Sequence, residues 1–175
     1  NHPNLENWTE SERLAYWINA YNAFTVKLII NHYPINSIKD ITSGVPFINS
    51  VWDIEFIEIE ARKYDLNDIE HGILRSQFKE PRIHFAINCA SISCPVLRQE
   101  AYLAEKIEFQ LEEQTRLFIN DTSKNVLGEN TLQISKIFRW FGSDFEIDGA
   151  SKIEFIKPYT TTPIALDAEL DYWDY

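Results

Sequence analysis

Arg82-Ile83-His84-Phe85-Ala86-Ile87-Asn88-Cys89-Ala90-Ser91-Ile92-Ser93-Cys94-Pro95 carries both cysteines of the chain and one of its four histidines. The stretch starts as an apolar run behind Pro81 and ends on a second proline. Alternation predicts a strand over residues 82–89. Ile83, Phe85, Ile87 and Cys89 would share one face, and Arg82, His84, Ala86 and Asn88 the other. Cys94-Pro95 then reads as the N-cap and first residue of a short helical turn, because proline suits the first helical position. A thiol at a helix start meets the positive end of the dipole, which favours the thiolate. Cys89, closing an apolar strand, is either inert or a resolving partner. A disulfide to Cys94 requires Cα atoms within ~7 Å. A buried strand running into a polar, thiol-bearing turn is where α/β folds commonly place chemistry.

Working outward toward the N-terminus, Asp65-Leu66-Asn67-Asp68 opens a helix with Asp65 as N-cap and Asp68 near its positive end. Leu66, Ile69, Ile73 and Leu74 form the apolar face, and Glu70 shares it at spacings of four. A carboxylate there needs a partner, either a structural salt bridge or a catalytic imidazole. His71 points about 100° away from Glu70 and is a surface histidine or a second candidate base. Residues 51–60 alternate with a slip of one (Trp52, Ile54, Phe56, then Ile57, Ile59), which predicts a bulged strand or a strand pair with an acidic outer face. Residues 34–50 read as loop with a helical turn near residues 37–41. Thr9 and Glu12 form a capping box for a helix reaching Tyr33, stopped by Pro34. That helix carries two apolar stripes, Leu14/Trp17/Ile18/Tyr21/Thr25/Leu28 and Ala15/Asn19/Asn22/Val26/Ile30, so it should sit centrally. Asn19 and Asn22 would be partly buried. Asn22 either bonds a neighbouring backbone or orients a ligand or catalytic group.

Toward the C-terminus, residues 100–120 predict an amphipathic helix with Leu103, Ile107, Leu111, Thr115 and Phe118 inward. Residues 121–130 form a turn-rich link and 131–135 a short strand. The aromatic cluster Ile137-Phe138-Arg139-Trp140-Phe141 reads as core, residues 151–156 as a short helix, and the tail as irregular or short-helical packing. The elements predict an α+β fold: a single, mainly helical domain over residues 1–175 around a small antiparallel sheet.

Composition narrows the function. Apolar residues are 45% and aromatics 14%, which is globular and not disordered. The net charge of −11 offers no basic stripe for nucleic acid and disfavours an anionic membrane surface. No apolar run approaches the ~20 residues needed to span a bilayer. Two cysteines are too few for a disulfide scaffold. The chain starts at Asn1 and has no Met, which reads as a processed or trimmed product from which an upstream targeting segment could have been removed, leaving an exported or periplasmic destination open.

Five stretches together resemble the family called domain of unknown function 547. They are Trp17-Ile18-Asn19-Ala20-Tyr21-Asn22-Ala23, Asp68-Ile69-Glu70-His71-Gly72-Ile73-Leu74-Arg75, Arg82 through Cys89, Ser93-Cys94-Pro95-Val96-Leu97, and Phe138-Arg139-Trp140-Phe141-Gly142-Ser143-Asp144-Phe145. The resemblance implies bacterial proteins, soluble or exported, and plant members with a coiled coil that is absent here. It assigns no activity. Members commonly carry Gly after the first Cys and a basic residue before Ser-Cys-Pro, where this chain has Ala90 and Ile92.

Three chemistries fit these residues. The first is a cysteine-dependent hydrolase or acyl transferase, similar to papain-like and transglutaminase-like folds in permuted order, because His84 precedes Cys94. Cys94 would be nucleophile, His84 base, Glu70 the group holding the imidazole, His71 the fallback base, and Asn88 or Asn22 a polar clamp or oxyanion donor. The second is a non-catalytic module holding a small thiol peptide such as glutathione, with Cys94, Cys89, Asn88 and a bidentate Arg75. The third, a zinc site of Cys89, Cys94, His84 and His71, lacks close Cys-x-x-Cys knuckles and ranks last. No cofactor is expected.

Overall fold

The structure is a computed structural model and describes residues 7–42 and 50–173. Parts of the expected lead-in, of the loop over residues 34–50 and of the tail lie outside the described residues. Helix α1, Glu10–His32, begins where the capping box places it. Thr9 Oγ1 accepts the Glu12 N–H at 3.2 Å and Glu12 Oε2 accepts the Thr9 N–H at 2.8 Å. The first stripe is buried throughout. The second emerges along the helix: Ala15 is buried, whereas Val26 and Ile30 are exposed.

Residues 51–60 are not one strand. Ser50 and Asp53 close on each other, with the Ser50 N–H donating to Asp53 Oδ2 at 2.8 Å, and this local bonding turns Val51–Asp53 into a single 3₁₀ turn. The strand pair is β1, Ile57–Ile59, with β2, Arg62–Tyr64, antiparallel. Glu60 and Ala61, both at positive φ, make the two-residue turn between them.

Asp65 caps the next helix as expected, its Oδ1 accepting the Asp68 N–H at 2.6 Å. The helix runs as a π-turn over Asp68–Leu74, closed by the Arg75 N–H on Glu70 O, and ends as α2, Arg75–Gln77. It packs on α1.

The predicted strand over residues 82–89 is instead a short helix, α3, Ile83–Ala86, followed by extended backbone from Ile87. Two apolar cores meet at this segment. Ile83, Ala86 and Ile87 enter the first, built on α1, the π-turn, β1 and the start of the following long helix. Phe85 enters the second. Alternation would put Ile83 and Phe85 on one face. A helical turn separates them by roughly 200°, so each reaches its own core. A short apolar run cannot by itself distinguish these conformations.

Helix α4, Ile107–Ile119, is shorter than predicted. Leu103 is about 40% exposed in the approach to a 3₁₀ turn, Ala104–Lys106, and does not point inward as expected. The buried amide of Gln110 accepts the Leu103 N–H at 2.8 Å and holds that approach in place. Strands β3, Val126–Leu127, β4, Thr131–Ile134, and β5, Glu169–Tyr172, form a second sheet in the order β3-β4-β5. The β3–β4 pair is antiparallel and the β4–β5 pair parallel. The expected single antiparallel sheet is therefore two small sheets, one of them mixed, and the tail supplies a strand. Short helices α5, Ile137–Trp140, α6, Gly142–Phe145, and α7, Lys152–Ile156, cover the second core. Among the described residues no helix is long and apolar enough to cross a membrane.

Candidate functional site

A pocket of about 310 Å³ opens where the π-turn, α3, the cysteine loop and α5 converge. Glu70, His71, His84, Cys89, Cys94 and Phe141 all line it. His84 projects from α3 and is buried. Its ring stacks on Phe141 at 4.1 Å between centroids. Its Nε2 lies 2.8 Å from Asp144 Oδ2. Arg75 grips the same carboxylate bidentately, Nε at 2.6 Å from Oδ2 and Nη2 at 2.8 Å from Oδ1.

Burial pushes the Asp144 carboxyl up, but hydrogen bonds from Arg75 and His84, with their charge, hold it well below the usual carboxylate range. Burial pushes His84 down, against the pull of Asp144. At neutral pH the pair is therefore carboxylate and neutral imidazole. An ionised carboxylate only accepts, so His84 Nε2 carries the proton and Nδ1 is the basic nitrogen.

The expected holder of the imidazole, Glu70, is engaged elsewhere. It is buried, and its Oε2 accepts the Tyr21 hydroxyl at 2.9 Å, in place of the expected salt bridge. Asp144, 60 residues from His84, does that work. Its stretch was among those carrying the family resemblance, but no spacing rule links a side chain on α6 to one on α3. His71 is exposed, and its Nδ1 accepts from Arg75 Nη1 at 3.0 Å. Arg75, expected to grip a ligand carboxylate, is instead committed to the protein's own Asp144. Lys39 is the cation that lines the pocket, with Trp52 and Trp140 as aromatic walls. Among the described residues no three His, Cys, Asp or Glu side chains converge as metal ligands.

The cysteine loop is clamped at both ends. The Asn22 amide donates to Ala86 O at 2.8 Å and accepts the Asn88 N–H at 2.9 Å, which is the backbone role. Asn88 in turn donates to Pro95 O at 2.7 Å and accepts the Ala90 N–H at 2.7 Å. No helix follows Cys94, so the dipole argument for its acidity does not apply. A turn replaces it. Cys94 Sγ accepts the Cys89 N–H at 3.3 Å and lies 2.6 Å from Cys89 Sγ. The hydrogen bond from Cys89 lowers the Cys94 pKa, helped by the Ser91 and Cys89 backbone N–H groups and opposed by burial. Cys89 is pushed up by that same bond and by burial. Among the described residues, no imidazole is a hydrogen-bond partner of the Cys94 sulfur.

Residues 5–119 match the model of the family described as protein of unknown function, DUF547. The chain belongs to that family. The DUF547 match spans α1, the π-turn, α3 and both cysteines, whereas Asp144 lies beyond it. No curated protein and no solved structure shows significant similarity to the chain. Ala90 sits at φ 60°, the left-handed region where a Cβ is disfavoured. Ala90→Gly is expected to raise stability by about 0.5–1 kcal/mol. Thermal unfolding should show a midpoint higher by roughly 1–4 °C.

Proposed function

We propose that this DUF547 protein is a cysteine-dependent hydrolase or acyl transferase acting on a peptide or a small thiol-containing molecule. The observation that carries the proposal is that one pocket is lined by the more acidic thiol, Cys94, and by an imidazole whose far nitrogen is fixed by an ionised Asp144. Cys94 is the nucleophile and His84 Nδ1 the base, acting directly or through one water. Asp144 holds the imidazole in place of Glu70, and Arg75 holds Asp144. His71 stands second as base. Asn22 and Asn88 shape the loop, since their amide donors already bond backbone.

In this reaction the Cys94 sulfur attacks the acyl carbon, and the bond to the leaving group breaks. Where Cys94 is protonated its proton passes to His84 and then to the leaving group; where it is already the thiolate, the leaving group takes its proton from solvent. Water or an acceptor thiol or amine next attacks the thioester, gives its proton to His84, and releases Cys94. A cavity of about 310 Å³ suits a small substrate. The permuted papain-like architecture is not required, because Cys94 opens no helix and His84 lies on one. The test uses p-nitrophenyl acetate and intact mass. One acetyl group should map to Cys94, be released by hydroxylamine, and be absent from Cys94→Ser. An unmodified Cys94, or equal labelling of the variant, would refute the proposal.

A second reading, a binding module for a small thiol peptide such as glutathione, is favoured by the Cys94 sulfur bonding Cys89 and not an imidazole. Arg75 is committed to Asp144, so Lys39 would take the ligand carboxylate. Glutathione binding by calorimetry that weakens in Lys39→Ala, with no acyl adduct in the wild type, would favour this reading.

A further inference from the structure

Cys89 and Cys94 share one pocket wall, and their sulfurs touch across a loop tied down on every side. Asn22 holds Asn88, Asn88 holds Ala90 and Pro95, and the Cys94 N–H donates to Ser91 O at 3.0 Å. Ser135 Oγ adds a bond to Ser93 O at 3.3 Å. Loop closure is the main entropic obstacle to pairing two thiols, and these clamps meet that cost in the folded protein. The chemistry proposed above needs only one of the two sulfurs. We propose that the pair is a reversible dithiol–disulfide site that takes its oxidising equivalents from a small-molecule disulfide entering the pocket.

Exchange proceeds in two displacements. The Cys94 thiolate attacks one sulfur of R–S–S–R. That bond breaks, one RS⁻ leaves, and Cys94–S–S–R forms. Cys89 gives its proton to the departing thiolate and attacks the Cys94 sulfur. The bond to the second RS group breaks, and that group leaves and takes a proton from solvent. Two electrons pass from the cysteines to the reagent, giving one intramolecular disulfide and two RSH. The order follows from the local bonding, in which Cys94 is the acceptor of the pair and Cys89 the donor. Excess RSH reverses both steps. Pairing removes the free thiolate of Cys94, so the disulfide would switch off acyl transfer. That consequence rests on the proposed function, whereas the exchange itself does not.

The experiment incubates the reduced protein with bis(2-hydroxyethyl) disulfide, quenches with N-ethylmaleimide and reads intact mass. Wild type should lose both alkylatable thiols together, with a mass lower by two hydrogens and no retained adduct. Cys89→Ser should stop at a mixed disulfide on Cys94. Circular dichroism confirms that the variant is folded. A wild type that keeps two alkylatable thiols, or that accumulates the mixed disulfide, overturns the proposal. Acyl labelling of the reduced protein separates the two ideas. A disulfide without acylation removes the enzyme and keeps the exchange site, and acylation without a disulfide does the reverse.

Discussion

His84→Ala is expected to slow acetylation of Cys94 by about 10²–10⁴-fold, the usual contribution of a positioned general base. The pH dependence identifies the residue more sharply than the size of the loss. Burial holds the His84 pKa below its ordinary value, so the basic ring persists below the ~6.5 of a free histidine. The rate should fall only as pH drops through that lowered value. Asp144 is the group that pulls the ring back up. Asp144→Asn should therefore move the acid limb to still lower pH while reducing the plateau. A limb that stays in place would mean that another group titrates. The same shift sets a stability trend. A histidine depressed in the folded state binds fewer protons than in the unfolded chain, so stability declines as pH falls from ~6.5 toward the folded pKa.

Phe85→Ala should cost about 3–5 kcal/mol, the range for deleting a fully buried aromatic side chain. Phe85 has no solvent exposure, and its ring lies 4.8 Å from Phe118, 5.6 Å from Phe138 and 5.7 Å from Phe145. Those partners come from α4, α5 and α6, so one truncation opens a cavity where three elements meet. The melting midpoint should drop by roughly 6–20 °C. Because His84 adjoins Phe85, the variant should also lose labelling of Cys94. Phe85→Leu, which keeps most of the volume, should recover most of both. Equal loss in the two variants would mean that the ring does more than fill space.

Local rules read well wherever the decisive interactions were local. The capping box at Thr9 and the Asp65 cap are satisfied by groups three residues away, and the inward faces of α1 and α4 follow helical spacing. Prediction failed where two cores compete for one segment. Residues 82–89 alternate like a strand, but Ile83 and Phe85 belong to different cores, and only a helical turn serves both. The charge partner of His84 was equally hidden. Glu70 was the buried carboxylate visible on an apolar face, and it bonds Tyr21. Asp144 emerged only when α6 was folded against α3 and Arg75. The helix start expected at Cys94 is absent: a turn brings the Cys89 N–H and the neighbouring thiol to its sulfur instead, a long-range closure that no local signal at Cys94-Pro95 encodes.

The central claim is that Cys94 carries a stabilised thiolate in an open pocket. The rate of iodoacetamide alkylation of Cys94, mapped by peptide mass across pH, measures it directly. A midpoint clearly below the ~8.5 of a free thiol, moving upward in Cys89→Ala as the hydrogen bond from its neighbour is lost, is the predicted result. A midpoint at or above that value, or a Cys94 that does not react until the protein unfolds, would contradict the account.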